Sequence, residues 1–187
     1  LQAMASLGEQ IIDLEALANH KGSAFGWIGE AAQPSVEHFE NLLFEKIQSL
    51  DPKQRIWVEN ESRSIGMVFL PEGFWQNLKK SPLVNIEIPT EVRIQKLIAA
   101  YAHCGKEVLV ESFKKIEKKL GFNHCKAAID AVNQGDLSTA ATIALQYYDK
   151  TYGHSLAENP TEKKYFVAIG GQNGCEDAEI VRNLPEV

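Results

Sequence analysis

Acidic side chains follow two short apolar segments, at positions suited to phosphate chemistry. Asp13 and Glu15 come after Gln10-Ile11-Ile12, and Glu59 comes after Ile56-Trp57-Val58. A carboxylate that closes a buried strand can hold a magnesium ion, or a water on that ion, opposite a bound phosphate. Such an acid is more often a solvated strand end or a partner of a helix terminus. Glu59 is therefore a candidate metal ligand that competes with this structural alternative.

Polar and basic residues that could contact a phosphate group are found in one loop and at two later positions. The segment His20-Lys21-Gly22-Ser23 offers a cation, a flexible backbone and a hydroxyl group. Arg63 and Arg93 could each hold a phosphate through two parallel hydrogen bonds. An ordinary surface loop and ion pairs with neighbouring glutamates are the structural alternatives. The candidate phosphate- or substrate-binding residues are Asp13, Glu15, His20, Lys21, Gly22, Ser23, Glu61, Arg63 and Arg93.

Positive charge is concentrated in one part of an otherwise acidic chain. The formal net charge is −6 overall, yet residues 79–126 contain 10 basic and 5 acidic side chains. Four of these basic residues lie on one predicted helix, namely Lys114, Lys115, Lys118 and Lys119, and the last three lie near each other away from its apolar stripe. They could bind an RNA backbone, although a lysine-rich helix face is more often simply solvated.

The composition excludes several classes of protein. The 187 residues suit one domain, or one domain with an extension, and can bury a sizeable core. The 3 cysteines are widely spaced and form no C-x-x-C pair, which predicts neither a disulfide nor a zinc site and indicates a reducing, cytoplasmic location. No apolar run approaches the roughly 18 residues of a membrane span. The N-terminus has no secretory signal pattern.

Segments with the apolar pattern of a strand alternate along the chain with segments that have the apolar pattern of a helix. Strands are predicted at residues 10–14, 55–59 and 83–88, and helices at residues 35–50, from Pro71 and at 90–103. Three further helices are predicted at 106–120, 124–134 and 136–150, followed by one late strand at 165–169. This order predicts an α/β fold with an open, mostly parallel sheet of the P-loop NTPase type and an appended C-terminal helical subdomain. The predicted ranges are 1–104 for the core, 105–152 for the helical subdomain and 153–187 for a tail.

Ligands of such sheets bind at the carboxyl ends of the strands, where Asp13, Glu15 and Glu59 are predicted to lie. A phosphate-binding loop of the form G-x-x-x-x-G-K-[ST] is absent from the sequence. Residues 1–7 have the pattern of the end of a helix, with Met4 inside it. We therefore expect the chain to be a fragment, with the phosphate-binding loop preceding Leu1.

Three separated strings of the sequence closely resemble the C-terminal domain of bacterial tRNA 2-selenouridine synthases. They are Asp13 to Ser23, Gln33-Pro34-Ser35 and Trp57 to Arg63, and the likeness extends from Leu1 to about Tyr152. The resemblance implies an N-terminal rhodanese-like domain with a catalytic cysteine as a partner, and a Walker-type loop directly before the helix that ends at Leu7. It also implies replacement of sulfur by selenium in the wobble 2-thiouridine of tRNA.

Further expectations come from the resemblance alone. Selenophosphate and geranyl diphosphate would be substrates, an S-geranylated tRNA the intermediate, and magnesium a candidate cofactor that this fragment would not retain by itself. His20, Lys21, Ser23, Arg63 and Arg93 would contact phosphate or tRNA, and Glu59 would organise a metal ion or the leaving group. Alone, the fragment is expected to be inactive. Two alternatives remain, a P-loop small-molecule kinase and a non-catalytic tRNA-binding module.

Overall fold

A computed structural model describes residues 1–184, which form a mixed α/β protein with short strands. The helices are α1 (Gln2–Ser6), α2 (Leu14–Ala18), α3 (Val36–Gln48), α4 (Glu72–Lys80), α5 (Thr90–Tyr101), α6 (Lys106–Leu120), α7 (Phe122–Gln134), α8 (Leu137–Glu158) and α9 (Gly174–Arg182). The strands are β1 (Gln10–Ile12), β2 (Ile56–Val58), β3 (Ser64–Ile65), β4 (Val68–Phe69), β5 (Leu83–Glu87) and β6 (Lys164–Ala168). The predicted α/β class is confirmed.

The described chain divides into two compact units. The first contains residues 1–87 together with the chain from Pro160 onward, and the second is Ile88–Asn159. In contrast with the predicted ranges 1–104, 105–152 and 153–187, α5 belongs to the helical unit and β6 to the first unit. As domain boundaries the predicted ranges stay a prediction.

The first unit contains three pairs of strands. β1 and β2 are parallel, with Ile12 opposite Val58, and β5 and β6 are parallel, with Val84 opposite Tyr165. β3 and β4 form a short antiparallel hairpin. The late strand predicted at 165–169 is thus present as β6, and it pairs with the strand predicted at 83–88.

Side chains of β1 point alternately into two apolar cores, as the pleat of a strand requires. Ile12 packs into a cluster with Phe39 and Leu43 of α3, and Ile11 packs into another with Met4 of α1 and Val167 of β6. Fully burying one such side chain contributes roughly 1.5–3 kcal/mol. The β1–β2 pair therefore has apolar cover on both faces, as is usual for parallel strands.

Polar caps decide where several helices begin. Ser35 Oγ accepts a hydrogen bond from His38 N–H at 3.2 Å, and Asp136 accepts one from Thr139 N–H at 3.0 Å, so these residues cap α3 and α8. The prediction that the first strand continues to Leu14 is wrong, because Asp13 caps α2 through Ala16 N–H at 2.8 Å. Thr90 is the first residue of α5 rather than its cap, a position that Pro89 occupies.

The second unit consists of α5, α6, α7 and α8. Its core contains Leu109 and Phe113 of α6, Val132 of α7 and Ala144 of α8, all of them buried. Gly121 and Gly135 adopt positive φ values of 92° and 82° between these helices, where a side chain would be strained. The predicted bounds of α6 match the structure, whereas α8 continues eight residues beyond the predicted end at residue 150, to Glu158.

Candidate functional site

Four carboxylates gather at one edge of the first unit, where β1 and β2 end. We call Asp13, Glu15, Glu59 and Glu61 the acidic edge. Because Ile12 lies opposite Val58 in a parallel pair, the next residues, Asp13 and Glu59, leave the two strands at the same edge. The parallel register thus places Asp13 and Glu59 at one edge, as the sequence predicted for the ends of these two strands.

Backbone groups of α2 hold two of these carboxylates in place. Glu59 Oε2 accepts a hydrogen bond from Leu14 N–H at 2.9 Å, and Asp13 Oδ1 accepts the one from Ala16 N–H. Asp13 Oδ2 also accepts from Gln2 Nε2 at 2.7 Å. Free N–H groups at the start of a helix are suited to carboxylates, so both acids have partners that fix their orientation.

Burial and mutual repulsion raise the pKa values in the acidic edge. Burial raises the pKa of Glu15 to about 7, and the charges of Glu61 and Asp13 add to the effect. Burial also raises the pKa of Glu59 to about 7, although the Leu14 N–H hydrogen bond opposes the shift. The pKa of Glu61 is raised by burial and then by Glu59. Near neutral pH Glu15 and Glu59 are therefore partly protonated.

Glu15 and Glu61 lie close enough for their side chains to alter each other's pKa, and the charge of Glu61 adds to the rise in the pKa of Glu15. The charge of Lys21 acts on Glu15 in the opposite direction and lowers its pKa. A bound cation would act like Lys21, because it would stabilise the ionised form of each carboxylate. The electrostatics of the acidic edge therefore favour a cation.

The loop after α2 approaches the acidic edge through a glycine. Gly22 has a φ of 65°, and a Cβ at this position would lie 2.6 Å from Glu61 Oε1. Its N–H donates to Nδ1 of His20 at 3.2 Å, and His20 is 9% exposed. Lys21 N–H donates to the carbonyl of Gly26 at 2.9 Å, which closes the turn. Glycine at position 22 is therefore required by both the backbone conformation and the nearby carboxylate.

The other polar residues of this loop have local partners. Lys21 Nζ lies 2.7 Å from Glu30 Oε1, and Ser23 Oγ accepts a hydrogen bond from Phe25 N–H at 3.2 Å. Asn19 adopts a left-handed conformation with a φ of 49° at the end of α2. The loop is thus an ordered turn in which Lys21 and Ser23 already take part in internal contacts.

Gln33 is a structural residue of the site whose role the sequence did not indicate. Its Nε2 donates to the carbonyls of Ala18 and Ile65, each at 3.0 Å, and its Oε1 accepts from Met67 N–H at 2.8 Å. One amide side chain therefore joins the end of α2 to the β3–β4 hairpin. Its place in the Gln33-Pro34-Ser35 string was the only signal, and that string says nothing about the partners.

Arg63 and Arg93 each form an ion pair with a carboxylate that is not one of the four of the acidic edge. Arg63 pairs with Glu72 at 2.9 Å, and both side chains are more than half exposed. Arg93 belongs to the second unit and contacts both carboxylate oxygens of Asp149, at 2.5 and 3.1 Å. Each arginine thus forms an ion pair, but with Glu72 or Asp149 and not with Glu59, Glu61 or Glu91, the partners that the structural alternative predicted. Their assignment to phosphate or tRNA contacts stays a prediction.

The four lysines of α6 form an exposed set, which we call the lysine face: Lys114, Lys115, Lys118 and Lys119. The opposite side of α6 is apolar and buried, through Leu109, Phe113 and Ile116. Lys115 Nζ pairs with Glu111 one turn earlier, at 3.0 Å. The surface suits RNA phosphates, and tRNA binding there stays a prediction.

Among residues 1–184, no group of three or more His, Cys, Asp or Glu side chains is arranged to hold a metal ion. Magnesium usually takes one or two protein carboxylates and completes its shell with waters and substrate phosphates. Glu59 is held at a strand end among other acids, and its role as a metal ligand stays a prediction. Cys104, Cys125 and Cys175 are free thiols. Residues 1–184 contain no helix long and apolar enough to cross a membrane.

Comparisons with a family model and with curated proteins agree on one family. Residues 2–173 match the family model described as the tRNA 2-selenouridine synthase AAA domain. The tRNA 2-selenouridine synthase of Sulfurovum sp. (strain NBC37-1) is 30% identical over 181 residues, which cover 81% of this chain and 50% of that protein. The chain thus spans about half the length of this curated relative. No solved structure matches the chain.

Proposed function

The chain belongs to the tRNA 2-selenouridine synthase family through its AAA domain, and from that premise we propose that it is part of a tRNA-modifying transferase. The reaction replaces the sulfur of wobble 2-thiouridine in tRNA with selenium from selenophosphate. It proceeds through an S-geranylated tRNA made from geranyl diphosphate. This part of the enzyme binds phosphate groups and tRNA, and an N-terminal rhodanese-like domain of the same protein is its partner.

One observation carries the proposal: the ends of β1 and β2 bring the acidic edge together beside the Gly22 turn. Four carboxylates alone would repel a diphosphate or selenophosphate. With a cation at Glu59, the same site becomes attractive to these anions. A magnesium ion bound there would neutralise charge on the diphosphate leaving group.

The protein groups have separate roles in this proposal. Glu59 would hold the cation, and the hydrogen bond from Leu14 N–H fixes its carboxylate. The raised pKa values of Glu15 and Glu61 would fall when a cation binds, so substrate binding and proton release would be coupled. His20, Lys21, Gly22 and Ser23 shape the anion-facing turn. The lysine face supplies phosphate contacts to tRNA.

Mass spectrometry of thiouridine-containing tRNA tests the function. The full-length enzyme is incubated with selenophosphate and geranyl diphosphate, and we expect the masses of the S-geranylated and selenium-containing nucleosides. Phosphorylation of a small molecule, with unmodified tRNA, would instead indicate the kinase alternative. Binding of tRNA without conversion would indicate the binding-module alternative.

Arg63 offers a narrower test of substrate contact. Its exposed ion pair with Glu72 contributes little to stability, so Arg63→Ala should leave the fold intact. We expect weaker conversion of thiouridine tRNA by this variant of the full-length enzyme. Turnover equal to that of the unchanged enzyme would refute a phosphate or tRNA contact at Arg63.

A further inference from the structure

Two separate segments supply the outer acids of the acidic edge. Glu15 lies on α2, a helix of five residues, and Glu61 lies on the segment that leads from β2 to β3. The β1–β2 register and the hydrogen bond from Leu14 N–H to Glu59 fix the inner acids at the strand ends. A helix this short is not stable by itself in water. The separation of Glu15 and Glu61 therefore depends on contacts that hold α2 against the chain after β2.

The side chain of Gln33 makes such contacts at the far ends of both segments. Its Nε2 donates to the carbonyl of Ala18, the last residue of α2, and to that of Ile65, the last residue of β3. Its Oε1 accepts a hydrogen bond from Met67 N–H. A carboxamide has two N–H donors, so both donors of Gln33 are used on these two carbonyls.

The two carbonyls that Gln33 binds belong to residues of one apolar core. Ala18 and Ile65 are both 0% exposed, and both lie in the core cluster that contains Ile12 and Phe39. A backbone carbonyl in such a place needs a donor from the protein. Without the carboxamide, the chain would have to shift at both segments to satisfy these groups.

Neighbouring residues hold Gln33 in this position. Asn19 Nδ2 donates to the carbonyl of Ala32 at 3.0 Å, which ties the residue before Gln33 to the end of α2. Gly66 has a φ of 60°, and a Cβ at this position would overlap the carboxamide of Gln33. Glycine at position 66 therefore provides both the left-handed turn of the hairpin and the space that the carboxamide occupies.

We propose that Gln33 is a positioning residue of the acidic edge. By joining the end of α2 to the β3–β4 hairpin, it sets the separation of Glu15 and Glu61, and so the space that a cation and a phosphate group would occupy. A displacement of reacting groups by about 1 Å can cost on the order of 100-fold in rate, so a contact remote from the substrate can control turnover. The effect of Gln33 on turnover rests on the proposed function, whereas its effect on the two segments does not.

Hydrogen exchange followed by mass spectrometry tests the positioning in the full-length enzyme. Gln33→Met keeps the length of the side chain but removes its hydrogen bonds. We expect amides of residues 14–20 and of residues 63–70 to exchange at least about tenfold faster in this variant, while those of α3 change little. Gln48→Met, at an exposed position of α3, is the control and should change neither segment. Unchanged exchange in either segment, or faster exchange throughout the first unit, would overturn the inference.

A second variant displaces the same carboxamide from the side of the hairpin. Gly66→Ala should speed exchange at residues 14–20, which are remote from it in the sequence, because the added methyl group would push Gln33 away. Gly29→Ala is the matched control, since Gly29 has a similar φ of 77° and an added methyl group would have no neighbour within 4 Å. Equal exchange at residues 14–20 in these two variants would contradict the proposal.

Turnover separates positioning from a purely structural role. At a temperature where Gln33→Met stays folded, we expect its kcat for conversion of thiouridine tRNA to fall at least about tenfold relative to Gln48→Met. The KM for tRNA should agree within about twofold, because the three hydrogen bonds of Gln33 go to backbone groups of the protein. An unchanged kcat with both segments loosened would overturn the positioning role. If the unsubstituted enzyme converts no thiouridine tRNA, the proposed function fails, and the exchange measurements still decide whether Gln33 holds the two segments.

Discussion

The acidic edge and the lysine face hold charge in opposite ways. In the acidic edge, carboxylates are partly buried, bonded to backbone N–H groups and close enough to alter one another's pKa values. On the lysine face, four ammonium groups extend from one helix into solvent. The charge of each carboxylate in the acidic edge therefore depends on the fold around it. The lysine face acts through its summed charge. A single substitution should therefore matter in the acidic edge and not on the lysine face.

The largest expected effect is the loss of stability when Glu59 is truncated. Glu59→Ala leaves Leu14 N–H without its acceptor in a partly buried place, and the free energy of unfolding should fall by about 1–3 kcal/mol. Glu59→Gln keeps an acceptor oxygen and should cost clearly less. Urea unfolding of both variants measures the difference. Equal stabilities of Glu59→Ala and the unchanged chain would show that this carboxylate is not held by the fold.

Gly22→Ala should have the next largest effect. The left-handed conformation costs alanine roughly 1–2 kcal/mol, and the new methyl group would also meet Glu61 Oε1. Gly29→Ala is the matched control, because Gly29 has a φ of 77° and a methyl group added there would have no neighbour within 4 Å. Thermal unfolding should show a larger loss for Gly22→Ala than for Gly29→Ala. The combined change Gly22→Ala and Glu61→Ala should recover the excess, and no recovery would exclude the contact.

The pH dependence of stability should reveal the raised pKa values of Glu15 and Glu59. The folded state binds these protons more tightly than the unfolded chain, whose value is near 4.5. Their contribution is therefore complete below about pH 4.5 and is lost as the pH rises through about 7. After allowance for solvent screening, we expect a difference of about 1 kcal/mol.

Denaturant unfolding at several pH values measures this loss. The chain is compared with the double variant Glu15→Gln and Glu59→Gln, so that titration of all other groups cancels. The difference between the two unfolding free energies should change steadily between about pH 5 and pH 8 in the stated direction. A constant difference across that range would show that neither pKa is raised.

The smallest effect on stability is expected for the lysine face. Changing Lys114, Lys118 and Lys119 to Gln should alter the free energy of unfolding by less than about 0.5 kcal/mol, since all three are exposed. Filter binding of tRNA by the full-length enzyme across salt concentrations should show a slope of log affinity against log salt that is reduced by about 2–3. The control changes Lys53, Lys80 and Lys163, which are exposed lysines outside α6. An equal reduction in the control would mean that the lysine face contributes no more to tRNA binding than other exposed lysines do.

Local patterns predicted the longer elements and the acids at the strand ends, because the rules involved act over short distances. A short apolar segment followed by an acid was enough to place Asp13 and Glu59 at strand ends, and the parallel register then joined them. The five-residue helix α2 was missed because it is too short for a periodic pattern, and only the capping geometry of Asp13 defines it. Helix α9 in the polar tail was missed for a similar reason, since Asn173 caps only nine residues.

The partners of long side chains could not be predicted from one sequence. Arg93 contacts Asp149 across 56 positions, and Gln33 reaches Ile65 across 32. Such contacts depend on how the elements pack, which no local pattern encodes. Sequence reasoning grouped Arg63 and Arg93 with the phosphate candidates because an arginine in a loop or in a first helical turn has the same pattern in both roles.

Conversion of thiouridine tRNA by Glu59→Gln in the full-length enzyme tests the central proposal most directly. The variant keeps the size of the side chain and an acceptor for Leu14 N–H but removes the charge proposed to hold a cation. With Lys53→Gln as control, we expect selenium-containing product to fall at least about 100-fold in Glu59→Gln, with folding and tRNA binding retained. Product formation equal to that of the control would contradict a role for the acidic edge in the reaction.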